Sequence, residues 1–423
     1  MKIAIIGAGI SGLVAAYRLQ GEHEVSLFEG NDYLGGHTNT ITVTENDRQF
    51  GVDTGFIVFN DRTYPNFISL LGEWGVEYQK TIMSFSVKCD RTGLEYRGAN
   101  LGGLFAQKRN LFNPKFLRLL YDLVRFKKVA EPLLLNKQES ETVGDFLKRN
   151  KFSQSFIEQY FLPMGSAIWS CPRSTFMDFP IAFIAEFYEN HGLLGVADRP
   201  QWYVIKGGST EYVKRLKQLL TCEIQMNSPV SKIERGGEHV SVQLANGAAR
   251  NFDHVVVACH ADQALRMLGS GATAAETEIL SAFPYQKNIA TLHTQEDVLP
   301  KRKRAWAAWN YHRELEDSNS ATVTYCMNLL QSLQTEKTYC VTLNDDGKLR
   351  QENIIAEIEY AHPIFDLRRR EMQLRRDELL GNHRTSFCGA YWGNGFHEDG
   401  VNSGLAVADA INKIDQRVVP AHA

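Results

Sequence analysis

Three glycines, at positions 7, 9 and 12, and a glutamate at 29 are the residues of this 423-residue chain whose types and spacing could seat a phosphate and a sugar. Gly7 permits a tight turn, Gly9 lets main chain approach a pyrophosphate, and Gly12 lets a helix pack closely on a strand. A helix that begins there presents free N–H groups and the positive end of its dipole, which together form a seat for an anion. Glu29 stands 17 residues after Gly12, where an acid accepts hydrogen bonds from both ribose hydroxyls of an adenine dinucleotide. A carboxylate there favours a free 2'-OH over a 2'-phosphate.

These residues need a strand, a helix and a second strand to hold them, and the flanking sequence supplies all three. Lys2 to Ile6 is a short apolar run, Leu13 to Leu19 repeats at helical period, and Val25 to Phe28 is apolar again before Glu29. Glycine-rich turns occur in many α/β proteins, but strand, turn, helix, strand and acid in this order mark a dinucleotide fingerprint. Gly269 and Gly271 open a similar G-x-G-x-x-A, yet ADQALRML before them is helical, so that stretch reads as a helix-to-helix loop. With no second nucleotide motif, NAD(P)H is not expected to have its own Rossmann domain. Further along, Gly35 and Gly36 sit in a loop before an alternating strand and suit a backbone passing close to a ligand. Asp53, Thr54 and Gly55 interrupt the β-rich FGVDTGFIVFN and place main chain against something flat. Near the C-terminus, Phe387 to Gly389 ends a strand. A glycine-rich loop then carries Tyr391, Trp392, His397 and Asp399, and Gly404 to Ile414 reads as a small-residue helix whose N-terminus points at a ligand.

The remainder of the chain bounds the class. Its length calls for two domains. A hydrophobic share of 43%, a charged share of 22% and a net charge of -3 describe a globular chain without the positive field a general nucleic-acid binder uses. Seven cysteines lack C-x-x-C and zinc-ligand spacing. No apolar window is long enough to span a membrane, and a cleaved leader would remove the first strand. A cytoplasmic, reducing setting is expected, with peripheral contact at the inner membrane face as its extension. The ground for that extension lies between residues 101 and 135. Pro114 can open a helix with Phe116, Leu119, Leu120, Leu123, Val124 and Phe126 at i, i+3, i+4 spacing, and Lys115, Arg118, Arg125, Lys127 and Lys128 beside them. Packing that apolar face on its own domain is the first expectation; lying on anionic lipid is the alternative. Residues 141 to 188 stay helical, with aromatics around Trp169 read as core. WYVIKGGSTEYVKRLKQLL reads as strand, Gly207-Gly208 and helix, returning the chain to the first domain, and Val255 to Ala258 suits the buried interior of a parallel sheet. The charge run DLRRREMQLRRDEL reads as a solvated helix face.

Four pieces of the sequence carry a family resemblance: G-A-G-I-S-G-L at 7–13 with Glu29, L-G-G at 34–36, N-S-P-V ending at Val230, and F-C-G followed by E-D-G-V-N-S-G. The chain resembles the flavin-dependent amine oxidase and phytoene desaturase superfamily, most closely its unassigned bacterial FAD/NAD-binding oxidoreductases, some of which are linked to fatty-acyl modification. The resemblance implies an α/β fold. Its Rossmann-like FAD-binding domain is discontinuous (residues 1–75, 203–262 and 381–423), and an α+β substrate domain fills 76–202 and 263–380. It implies that Glu29 holds the adenosine ribose, Gly7 to Gly12 (with Ile10 and Ser11) the pyrophosphate, Val230 the adenine through its main chain, and Gly400-Val401 the flavin ring. Gly30, Gly35, Gly36, His37, Thr54, Gly55, Gly389 and Asp399 complete the expected FAD set.

Two departures stand out, since His37 replaces the usual arginine of L-G-G-R and Ala390 an acid. No S-G-G-C tether is present, so the FAD is expected to be non-covalent. Flavin N5 accepts a hydride, and the protein positions the substrate carbon. Tyr391, Trp392, Phe396 and His397 are the candidates for the substrate face, and Lys287 falls near where amine oxidases place a water-holding lysine. The expected activity is removal of a hydride from an apolar lipid or fatty-acyl substrate reaching the flavin through residues 104–128. A flavin amine oxidase and a non-catalytic redox or scaffold flavoprotein are the alternatives.

Overall fold

The computed structural model describes residues 1–418 apart from 99, 136–140, 170, 195–198, 314–321 and 346. Five strands, Glu223–Gln225, Glu24–Phe28, Lys2–Ile6, His254–Val257 and Thr385–Phe387, lie in that spatial order and pair in parallel throughout. Successive side chains of a strand face opposite sides of its sheet. Ile3 and Ile5 accordingly enter one core and Ala4 and Ile6 another. The first core is closed by helices Ile10–Leu19, Thr210–Leu219 and His397–Val418. The second is closed by an antiparallel meander (Val230–Arg235, Val240–Leu244, Ala249–Phe252) and helices Ala261–Leu268 and Ala274–Leu280. The G-x-G-x-x-A stretch opens in a 3-10 turn, Gly269–Gly271, between those two helices, as a helix-to-helix connection should.

A seven-stranded sheet forms the larger core. Its spatial order is Ile354–Pro363, Tyr285–His293, Cys340–Leu343, Thr322–Cys326, Trp309–Arg313, Phe85–Cys89, Leu94–Arg97, and only the Trp309–Arg313 and Phe85–Cys89 pair is parallel. The helices of residues 114–190 pack on it through aromatic residues such as Phe126, Phe156, Phe161 and Tyr188. Among the described residues, no helix is long and apolar enough to cross a membrane.

Trp202–Ile205 pairs antiparallel with Phe59–Asn60 and Tyr78–Thr81, and the chain re-enters the parallel sheet at Glu223–Gln225. Two elements differ from expectation. The C-terminal helix begins at His397, seven residues before Gly404, so His397 and Asp399 belong to its first turn and not to a loop. The charge run is not wholly solvated. Arg369 is 3% exposed, its guanidinium lies 4.0 Å from the Phe183 ring centroid and donates to Asn394 Oδ1 (3.1 Å), and Arg376 donates to the Ser403 carbonyl (3.0 Å). Arg369 anchors the segment that leads into the last helix, and Arg376 the helix itself.

Candidate functional site

Parallel strands end together, and the loops that follow them share one edge of the sheet, where α/β folds bind their ligands. Here that edge gathers Gly7–Gly12 after the first strand, Glu29 and Gly30 after the second, Ala258–His260 after the fourth and Gly389–Tyr391 after the fifth. All four segments contribute to the wall of one cavity of about 1700 Å³.

At one end of this cavity the glycine turn is held tightly. A side chain on Gly12 would place its Cβ 1.9 Å from the Gly7 carbonyl oxygen, so only glycine lets the Ile10–Leu19 helix sit this close to its strand. Gly35 folds onto the turn through its N–H, which donates to the Ala8 carbonyl (2.8 Å). The Glu29 carboxylate is buried and accepts from the N–H groups of Ala8 (2.8 Å) and Asn31 (2.9 Å), which fixes it on the cavity wall. Ser228, Pro229 and Val230 line the same region, with the Ser228 N–H donating to the Glu29 carbonyl (2.8 Å).

These residues fit a dinucleotide on three counts. A Cβ at Gly9 would meet nothing within 4 Å among the described residues, so the turn leaves open space where a pyrophosphate needs it. The helix that starts there has no acid in its first turn and no side-chain cap, so its N–H groups remain available to an anion. The cavity also exceeds the roughly 300–1,000 Å³ of a site for one drug-sized ligand.

The middle of the cavity holds His37, His260 and His362. Their ring centroids are 5.8 Å apart for His37–His260 and 5.4 Å for His37–His362, and His37 stacks on Tyr360 at 5.1 Å. Burial pushes the imidazole of His260 down to about 4 and that of His362 to about 3, and it lowers His37 as well. His37 Nε2 donates to the Ala361 carbonyl (3.1 Å). The position that replaces the usual arginine is therefore neutral, as its neighbours are.

The expected residues divide. Gly7, Gly9, Ile10, Ser11, Glu29, Gly30, Gly35, Gly36, His37, Thr54, Gly55, Val230, Gly389, Tyr391, Phe396, His397 and Lys287 line the cavity; Gly12, Trp392, Asp399, Gly400 and Val401 stand behind its wall. Trp392 is turned away, donating from Nε1 to the Phe387 carbonyl (3.1 Å) and packing on Phe283. His397 reaches the wall with its ring stacked on Phe56 (3.6 Å between centroids) and Nε2 2.7 Å from the Tyr212 hydroxyl. Burial brings its imidazole to about 3, so it is a neutral packing element. Tyr391 is buried against Phe283 and Trp392, and its hydroxyl has no partner among the described residues. Lys287 sits on the rim, its side chain 77% exposed and its Nζ 2.8 Å from Glu359.

Asp399 and Glu398 occupy the first turn of the last helix. Asp399 accepts from the N–H groups of Asn394 (3.0 Å) and Phe396 (2.9 Å), and Glu398 from those of Asn66 and Phe67 (2.9 and 2.8 Å). Burial raises Asp399 to about 6 and raises Glu398. The positive helix end expected to face a ligand thus carries two carboxylates of its own, which locks the 393–396 loop and the Pro65–Trp74 helix around it.

Beyond Phe396 the cavity continues between the seven-stranded sheet and the helices, where the sequence had pointed to the segment 104–128 but to no other wall residue. Leu104, Leu119, Leu120, Leu123, Met164 and Trp169 are on its wall, with Tyr160 from a π-helical turn, Ile157–Phe161. Such turns recur at functional sites. Among the described residues, no Asp or Glu between positions 54 and 193 lines it. His260, Phe56 and Tyr360 were also missed. His260 had a signal, because residues just after a fully apolar parallel strand lie at the ligand edge.

The sequence profile of the flavin containing amine oxidoreductase family matches residues 10–294 of the chain. Among solved structures, the fold is similar to cyclohexylamine oxidase from Brevibacterium oxydans IH-35A (16% identical, TM-score 0.71, covering 98% of this chain and 99% of that one). It is also similar to a CLA-producing fatty acid isomerase from P. acnes (15% identical, TM-score 0.67, covering 97% and 98%). A stretch of 42 residues is 52% identical to 4,4'-diapophytoene desaturase (4,4'-diaponeurosporene-forming) of Staphylococcus aureus, spanning 10% of this chain and only 8% of the length of that relative.

Proposed function

We propose, since the chain belongs to the flavin containing amine oxidoreductase family, that this FAD-dependent oxidoreductase takes a hydride from an apolar substrate of lipid or fatty-acyl type. Bound FAD supplies the hydride acceptor. In this reading residues 1–75, 203–262 and 381–423 hold FAD, and 76–202 and 263–380 shape the substrate channel. Gly7–Gly12 seats the pyrophosphate, Glu29 the ribose and the Val230 main chain the adenine. The chain's remaining task is to orient an acyl chain, and substrate enters through residues 104–128.

One observation carries the choice of substrate. The wall contributed by residues 54–193 is mostly apolar and aromatic and holds no carboxylate among the described residues; its polar groups include Ser84, Asn100, the hydroxyls of Tyr96 and Tyr160 and the imidazole of His191. An ammonium ion leaving water would find no counter-charge there, and an uncompensated charge in such surroundings is costly. An alkyl chain gains about 0.8 kcal/mol for each methylene it buries. The 42-residue match to a diapophytoene desaturase is in keeping with this choice; the likenesses to a fatty acid isomerase and to an amine oxidase are both of fold.

Anaerobic mixing tests it. Long-chain fatty acids or phospholipid acyl chains should bleach the flavin absorbance, and primary amines should leave it oxidised. Bleaching by amines with none by any acyl compound would reject the lipid substrate.

A further inference from the structure

Resting on the acyl-channel reading above, we propose that the surface formed by residues 101–128 docks on an anionic phospholipid bilayer with the channel entrance set within the contact. Seven of the fourteen strongly exposed large hydrophobic residues among those described fall in 101–135. Phe112 is 86% exposed, Leu101 73% and Val124 71%. On the Pro114–Leu135 helix, Leu117, Tyr121 and Val124 recur at i, i+4 and i+7 and form one outward stripe, while Phe116, Leu119 and Phe126 on the far side are buried. A helix on a protein surface in water ordinarily has one apolar face. This one has two, and its inner face walls the channel through Leu119, Leu120 and Leu123.

The charges beside the stripe identify what covers it. Residues 101–135 contain seven Lys and Arg against two Asp and Glu, in a chain of net charge -3. Lys108, Arg109, Lys115, Arg118, Lys127 and Lys128 are exposed. Of the two acids, Asp122 is buried and engaged with Arg118 and Arg125, leaving Glu131 as the opposing charge on the surface. Apolar side chains flanked by cations match a leaflet of acyl chains beneath anionic headgroups. A second copy of the chain would bring the same cations face to face across a two-fold interface. Leu101 joins the two functions, because it belongs to the exposed patch and also to the channel wall. An acyl chain entering there passes from bilayer to cavity without crossing water.

The test uses the FAD-loaded enzyme and co-sedimentation with phosphatidylcholine vesicles, with and without phosphatidylglycerol, at low and high salt. Wild type should sediment with the anionic vesicles, less so in high salt. Changing Lys115, Lys127 and Lys128 to Gln should lower partitioning by about fivefold per cation. Phe112→Ser with Val124→Ser should lower it at both salts while keeping the flavin spectrum and Tm, because both side chains lie in solvent. No sedimentation of wild type, or equal sedimentation of all variants, overturns the docking face. So does a patch variant that turns a dimer into a monomer when wild type ignores vesicles. Bleaching by a water-soluble short-chain fatty acid separates the two proposals. If it persists while vesicle binding fails, only the docking face falls; if vesicles bind and no acyl compound bleaches the flavin, only the substrate falls.

Discussion

Gly9→Ala and Gly12→Ala add the same methyl group three residues apart, and the structure assigns them opposite consequences. Gly9 has φ -71° and ψ 178°, an extended conformation that alanine adopts freely, and its Cβ would meet nothing within 4 Å among the described residues. Replacing glycine at a compatible position gains about 0.4–1 kcal/mol through the unfolded chain. Losing glycine at a helix N-cap costs a similar few tenths to about 1 kcal/mol. The FAD-free protein should therefore melt within about 2 °C of wild type. The methyl instead enters the cavity beside the free N–H groups, and crowding of this kind costs about 1–3 kcal/mol. FAD affinity, read by quenching of flavin fluorescence, should fall by about tenfold to a hundredfold. At Gly12 the added Cβ would lie 1.9 Å from the Gly7 oxygen and 3.1 Å from the Ala258 Cβ, so helix and strand must separate and the FAD-free Tm should fall by several degrees. Wild-type FAD affinity in Gly9→Ala would refute the assignment of the turn to the pyrophosphate. An unchanged Tm in Gly12→Ala would refute the packing role of the third glycine.

Other consequences can be read separately. Glu29→Ala should weaken FAD binding by about 1–3 kcal/mol in titration calorimetry, since a carboxylate fixed by Ala8 and Asn31 disappears; unchanged affinity would remove Glu29 from the ribose site. Acid precipitation should release the flavin into the supernatant, and a yellow pellet would show a covalent link. Stability should fall as pH drops from about 6.5 towards 4, because burial holds His191, His254, His260 and His293 at about 4 and His362 and His397 at about 3. These rings are neutral when folded and take up protons when unfolded, so the stability present above the unfolded value of about 6.5 is lost towards the folded ones. Asp53 and Asp399, raised to about 7 and about 6, and Glu398, also raised, act in the opposite sense, since their stability is full below the unfolded carboxylate values and declines as pH rises to the folded ones, but the lowered histidines outnumber them. A Tm that stays level or rises between pH 6.5 and 4.5 in a fluorescence melt would contradict this balance. Leu123→Trp should raise KM for a long acyl chain about tenfold or more, leave FAD affinity alone and spare a short-chain substrate; equal effects on both would place the channel elsewhere.

What could be read from the sequence was what its local residues decide. The first βαβ unit is specified within 28 residues, from Lys2 to Glu29, and the close approach that requires Gly12 is to Gly7, five positions away. The C-terminal helix misled because its glycines resemble breakers. Gly400 and Gly404 lie inside it, where an added Cβ would come 2.7 Å from Ile10 Cγ2 and 2.5 Å from the Ser11 carbonyl oxygen. They are spaced to let the last helix press against the first, a contact across nearly 400 residues that no local pattern reports. His397 was misplaced with that boundary, and Trp392 shows the complementary error, an aromatic in a suggestive loop that fills the core beside Phe283. Outside the segment 104–128, the channel was hidden for the same reason as the helix contact. Its wall is assembled from segments around Tyr96, Leu123, Tyr160, Trp309 and Tyr360 that meet only once the seven-stranded sheet has formed. The Pro114–Leu135 helix was ambiguous in a deeper sense, since apolar residues on both of its sides satisfy two periodicities at once. Burial assigns Phe116, Leu119 and Phe126 to the protein and leaves Leu117, Tyr121 and Val124 outside. Packing on its own domain and offering a face to lipid were opposed readings of one sequence, and the folded chain leaves room for both, since one apolar side of the helix is packed and the other is exposed.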